Sequence, residues 1–204
     1  MLRFYVELGD MGPLVTAWTG SPDDMFHTRL CTLSSWINVA PEGATWRDGA
    51  MAMLARGFLQ PGQPAITRQA LAEALATTGV PGVTYLFKQA LQHPNEEVRT
   101  AAVLGLARIA GESDLPDLEA ALSDEDPAVR QAAVRGLAYL NIDAATRLLE
   151  RVLLEGDETL RPVAAEVLAE CGEEGMAFLR EVVESEDVMV RRAAVFGLAQ
   201  ARDR

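Results

Sequence analysis

The chain has 204 residues, 49% of them hydrophobic, and a formal net charge of −12 at pH 7. That apolar content can bury a core and excludes a disordered chain, while the acidity, with Lys88 as the sole lysine, excludes a nucleic-acid backbone or an anionic membrane surface as partner. The N-terminal MLRFYVELGD lacks an apolar signal core, no apolar run approaches the ~20 residues of a membrane span, and Cys31 and Cys171 have no metal or redox spacing, so a reducing, cytoplasmic setting is expected.

In chain order, the first helical pattern surrounds Arg29 in HTRLCTLSSW, with Trp18 standing upstream in place of a leucine. VAPEGATW (Val39–Trp46) follows, and its proline and glycine mark an insertion. ITRQALAEALA then carries Arg68, and three near-copies succeed it: NEEVRTAAVLGLARI with Arg99, DPAVRQAAVRGLAYL with Arg130 and DVMVRRAAVFGLAQA with Arg191. A looser copy, LRPVAAEVLA, holds Arg161. The arginines from Arg99 to Arg191 are separated by 31, 31 and 30 residues, and Arg68 lies 31 before Arg99. Arg29 lies 39 before Arg68, which accounts for an insertion of about eight residues.

Twelve and eight residues before each arginine stand apolar pairs: Phe87 and Leu91, Leu118 and Leu122, Leu149 and Leu153, Leu179 and Val183. A four-residue spacing places each pair on one helix face. Every unit therefore has two helices, a helix A with the pair and a helix B with the arginine. Asn95, Asp124 or Asp126, Asp157 and Asp187 lie between them as turn and N-cap residues, and Pro127 suits a first helical turn. Within helix B, apolar residues recur at −1, +2, +3, +7 and +10 from the arginine, as in Val129, Ala132, Ala133, Leu137 and Leu140. One such hairpin cannot bury its own stripe, but a stack can.

The pattern D-x-x-V-R-x-A-A-x-x-G/A-L at this period resembles HEAT repeats, and most of all the short type also found in phycobilisome lyases. The resemblance covers residues 60–204, leaving 1–59 as divergent helical repeats with the insertion near 39–46, all in one continuous solenoid. It implies an all-α, right-handed α-solenoid of stacked antiparallel helix pairs, with A helices convex and B helices concave. It also implies a structural ladder of Arg68, Arg99, Arg130, Arg161 and Arg191 with acidic residues near the starts of the B helices.

Chemistry is sparse. Neither His27 nor His93 is followed by glutamate, and no metalloprotease, dinucleotide or phosphate-loop motif occurs. Cys31 and Cys171 occupy stripe positions and read as small core residues; Trp18 and Trp36 read as core as well. No catalytic residue, metal or cofactor is expected.

The concave face implied by the resemblance carries the functional expectation. Unlike the stripe, its positions differ from copy to copy. One predicted patch is Leu104, Arg108, Arg135 and Tyr139, of types favoured at interface hot spots. A second is acidic, with Glu158, Glu166 and Glu170, and suits a basic segment. A third is apolar, with Val188, Met189 and Phe196 in the last helix. No further helix A follows it, so Val195 and Leu198 are expected partly bare, and self-association through this end is expected. The resulting expectation is a non-catalytic scaffold binding a protein or peptide. The alternative, carried by the resemblance alone, is a chromophore-lyase-like or other enzyme-accessory protein.

Overall fold

The computed structural model describes residues 11–21, 23–140 and 142–202. These residues contain twelve α-helices, one short 3-10 turn and no strand. No helix among them is long and apolar enough to cross a membrane. The chain clusters into two compact units, Met1–Leu106 and Ala107–Arg204.

The first unit contains α1 (Gly12–Thr19), α2 (Thr28–Val39), α3 (Arg47–Leu59), α4 (Ala65–Thr77), α5 (Gly82–Ala90) and most of α6 (Glu96–Ile109). Here α2 packs on α3 and α4, and α3 packs on α4. Leu33, Ile37, Leu54, Phe58, Leu71, Leu75 and Phe87 are wholly buried. The Phe58 and Phe87 rings meet edge to face, with centroids 5.7 Å apart, the arrangement that opposes ring quadrupoles favourably. Turns over residues 40–46 join α2 to α3, where the insertion is expected.

The second unit contains α7 (Leu115–Ala121), α8 (Pro127–Leu137), α9 (Asp143–Glu155), α10 (Leu160–Glu170), α11 (Gly172–Val182) and α12 (Val188–Arg202). Helix α10 touches α8, α9, α11 and α12. It therefore packs against its own helix A and against the B helices on either side. This is α-solenoid construction, and burial follows it. Val129, Ala132, Ala133, Leu137 and Leu140 are all buried, as the stripe requires. Burying one such leucine contributes roughly 1.5–3 kcal/mol.

The buried face is wider than the expected stripe. Positions +4 and +6 are also covered: Val103 and Gly105, Val134 and Gly136, Ala165 and Val167. A helix pressed from three sides has little free perimeter, hence the alanines and glycines. At Gly105 a Cβ would lie 2.5 Å from the Phe87 ring, and at Gly197 it would lie 2.5 Å from the Ala165 carbonyl oxygen. In helix A the first apolar residue of each pair is wholly buried, whereas Leu91, Leu122 and Val183 are half-buried.

The starts of α6, α8, α10 and α12 are set by side-chain caps. Asn95 Oδ1 accepts from the Val98 N–H at 3.0 Å, Asp126 Oδ1 from the Ala128 N–H at 2.8 Å, and Asp187 Oδ1 from the Met189 N–H at 2.7 Å. Asp157 Oδ1 accepts from the N–H groups of Thr159 and Leu160. Pro127 occupies the first turn of α8, where its missing N–H leaves nothing unpaired.

The five marker arginines reach back to the turn before their own helix or to the end of the helix before it. Arg99 donates to the carbonyls of His93 and Pro94, Arg130 to those of Asp124 and Glu125, and Arg191 to those of Ser185 and Glu186. Arg161 donates to the Leu154 carbonyl. The wholly buried Arg68 donates to those of Phe58, Gln60 and Gln63. Arg130 and Arg161 also reach forward. Arg130 meets the Asp157 carboxylate at 3.2 Å, and Arg161 meets Asp187 at 3.3 Å. Each of these aspartates thus caps its own helix B while accepting from the preceding repeat.

Candidate functional site

The second unit supplies the best-formed candidate surface. Arg135 and Tyr139 project from α8 and its last turn, Glu166 and Glu170 from α10, Phe196 and Gln200 from α12. Each pair is four residues apart and shares one helix face. Arg135 and Tyr139 are exposed, the latter by 53%. Arg108, near the end of α6, places its guanidinium 5.3 Å from the Tyr139 ring centroid. Such a contact holds a flexible cation in place without removing its hydrogen-bond donors.

Glu166, Ala169 and Glu170 of α10, with Gln200 and Ala201 of α12, line an open cleft of about 440 Å³. Glu166 is half-buried and Glu170 exposed. Two carboxylates one helical turn apart make this cleft attractive to a cation and hostile to an anion. Glu158 lies exposed at the other end of the same repeat. Phe196 is 42% exposed and Val188 54% exposed, whereas Met189 is half-buried. Val195 is exposed and Leu198 half-buried. Leu104 is half-buried and belongs to the first unit. The surface of the second unit is thus cationic and aromatic on α8, acidic on α10 and partly apolar on α12.

The cysteines are not well placed for nucleophilic work. Both are half-buried free thiols. Burial pushes the Cys31 thiol up, and the charges of Asp23, Asp24 and Glu73 add to the rise. Burial likewise raises Cys171, with Glu170 and Glu174 adding to it. A raised thiol holds less thiolate near neutral pH. The reading of both as core residues needs correction: their stripe positions fall near helix ends, where packing is incomplete. Trp36 is buried, but Trp18, near the end of α1, is only half-buried.

Sequence reasoning missed a second cavity, of about 320 Å³, in the first unit. Its walls come from α1, the turn after it, the start of α2 and the second half of α3. Trp18 donates its indole N–H to the Arg29 carbonyl at 3.3 Å, and its ring lies 5.6 Å from that of Trp36. His27 precedes α2 with φ 52°, the one non-glycine residue with positive φ among the described residues. A left-handed non-glycine residue costs roughly 1–2 kcal/mol.

The family model for HEAT repeats matches residues 58–138 and 115–199, more than half of the chain. No curated protein matches its sequence. Among solved structures it is similar to a crystal structure of an engineered protein, at 18% identity and a TM-score of 0.47, covering 96% of this chain and 98% of that one. It is also similar to human deoxyhypusine hydroxylase in complex with glycerol, at 19% identity and a TM-score of 0.37, covering 99% of this chain and 89% of that one. Likenesses this distant say nothing of activity.

Proposed function

The chain belongs to the HEAT-repeat family, and from that premise we propose that it is a non-catalytic scaffold whose helix-B face in the second unit binds a protein or peptide segment carrying basic residues. The acidic cleft between α10 and α12 is the observation that carries this reading. A lysine or arginine side chain entering it would meet Glu166 and Glu170 together. Arg108 and Tyr139 offer an aromatic face with a held guanidinium, where an acidic or aromatic residue of the same segment would sit. Phe196 and Val188 offer apolar area for a hydrophobic one. Arginine and aromatic residues on an exposed face are the types that dominate binding energy at interfaces.

Against a cysteine nucleophile stands the half-burial of both thiols, which raises them above the ordinary range. Two free thiols also suit a reducing, cytoplasmic setting, and the net charge of −12 disfavours nucleic acid. No residue described above favours the lyase-like alternative.

Selection from a random peptide display library tests the proposal. Enriched peptides should be rich in lysine and arginine, and their affinity should fall with added salt. Glu166→Gln combined with Glu170→Gln should weaken them by about tenfold or more. Enrichment of acidic peptides, or unchanged affinity in the double variant, would remove the cleft from consideration.

A further inference from the structure

We propose that the cavity of the first unit is a binding site for a small planar organic anion, an aromatic ring system bearing a carboxylate or phosphate. The site stands apart from the peptide-binding reading, since none of its residues belongs to the second unit.

Size and shape come first. A cavity of about 320 Å³ lies within the range of small-molecule sites and is too small for a folded partner. Its lining is mixed as such sites require. Trp18 and Met53 provide aromatic and thioether wall, and His27, Arg29 and Arg56 bring polar ends to the same space from the start of α2 and from α3.

Charge is the second argument. In a chain of net charge −12, this cavity gathers two guanidiniums and an imidazole against a single carboxylate, that of Asp23. That carboxylate is already engaged. Its Oδ1 accepts from the N–H groups of Asp24 and Arg29, and its Oδ2 from that of Leu30. Asp23 therefore closes the start of α2 and is not aimed at the guanidiniums.

The third argument is preorganisation. The Arg29 guanidinium lies 5.9 Å from the Trp18 ring centroid, a cation–π contact that limits its sweep. Arg56 is exposed and makes no hydrogen bond or ion pair among the described residues. One held and one free guanidinium lining the same cavity can clasp an anionic group, the planar fork of each matching two oxygens. The ring of the ligand then lies along Trp18 and Met53. His27 keeps its imidazole at this cavity in a backbone conformation that glycine would adopt more easily.

The probes are 2-naphthoate, 2-naphthyl phosphate and the neutral 2-naphthamide, titrated into the full chain by calorimetry. At least one anion should bind at one site per chain, with the amide weaker by about tenfold or more. The stronger of the two anions identifies the group recognised. Arg56→Glu should abolish that binding while leaving the melting temperature unchanged, because Arg56 is exposed. His27→Gly accepts the left-handed φ, so it should fold as well as the parent and still bind more weakly. Failure of both anions to bind, equal binding of the amide, or unchanged binding in both variants would overturn the proposal.

Discussion

Replacing Gly197 by alanine tests how closely α10 and α12 approach. A Cβ at this position would lie 2.5 Å from the Ala165 carbonyl oxygen, 2.8 Å from its carbonyl carbon and 3.0 Å from its Cβ. The nearest of these is roughly 1 Å short of an unstrained contact. All three obstructing atoms are fixed to the body of α10, so no rotamer change relieves them. The helices must separate, and separation loosens Ala164, Ala193 and Ala194, all now buried. Overpacking of this kind costs about 1–3 kcal/mol. Alanine returns roughly 0.5–1 kcal/mol through its better helix propensity. A net loss of about 1–2 kcal/mol is expected for Gly197→Ala. The control is Gly49→Ala in α3, where a Cβ meets nothing within 4 Å; the same propensity gain should there raise stability by up to about 0.5–1 kcal/mol. Urea unfolding followed by circular dichroism measures both, with hydrogen exchange localising the first to α12. A Gly197→Ala chain as stable as the parent would refute the close packing of α10 on α12.

The Leu137→Asp variant should lose the folded second unit, since Leu137 is 1% exposed and a buried unpaired charge costs several kcal/mol, roughly the order of a domain's stability; cooperative melting near the parent temperature would show the stripe to be misplaced. Tyr139→Ala with Arg135→Glu should cost the fold less than about 1 kcal/mol but weaken a selected peptide by about 2 kcal/mol, roughly thirtyfold, in fluorescence polarisation. Acid titration should show a contribution from Asp157. The Thr159 hydroxyl, with the Thr159 and Leu160 N–H groups and Arg130, holds its carboxyl below the usual aspartate range. A depressed folded pKa gives stability that is present above the unfolded value, about pH 4, and is lost as pH falls further. Asp157→Ala should therefore flatten the stability profile below about pH 4, and an unchanged acid limb would show that the cap carries no linkage.

The repeat architecture was legible because its causes are periodic. The arginine spacing, the capping aspartates and the alanine-rich stripe each recur with the same register, and each has a local physical reason. The width of the buried face was not legible. A hydrophobic stripe reports one contact direction, whereas α10 is pressed by four helices, and small residues such as Ala165 and Gly197 carry no hydropathy signal for the extra contacts. The cavity of the first unit was invisible for another reason. Trp18, Arg56 and the neighbours His27 and Arg29 come from three separate elements, and no spacing in the chain relates them. The positive φ of His27 has no sequence signature at all, since any residue there would read as ordinary turn. The acidic pair Glu166 and Glu170 was visible as a face, but not as a cleft, because that depends on where Gln200 and Ala201 stand.

The backward reach of the marker arginines has a consequence for how such a chain can be cut and rejoined. Each of them ties its helix B to carbonyls of the preceding turn or of the end of the helix before it, so the A-to-B turns are clamped from within. Of the B-to-A junctions, the one between α2 and α3 has a longer tie, from the Arg47 guanidinium to the Ala40 carbonyl at 3.5 Å. The hairpin, entered at helix A and left at helix B, is the exchangeable part, and the junctions behind it are the seams. Extra residues, protease sites or transplanted repeats should be accepted at those seams and resisted at the clamped turns. The turns of residues 40–46, between α2 and α3, lie at such a seam.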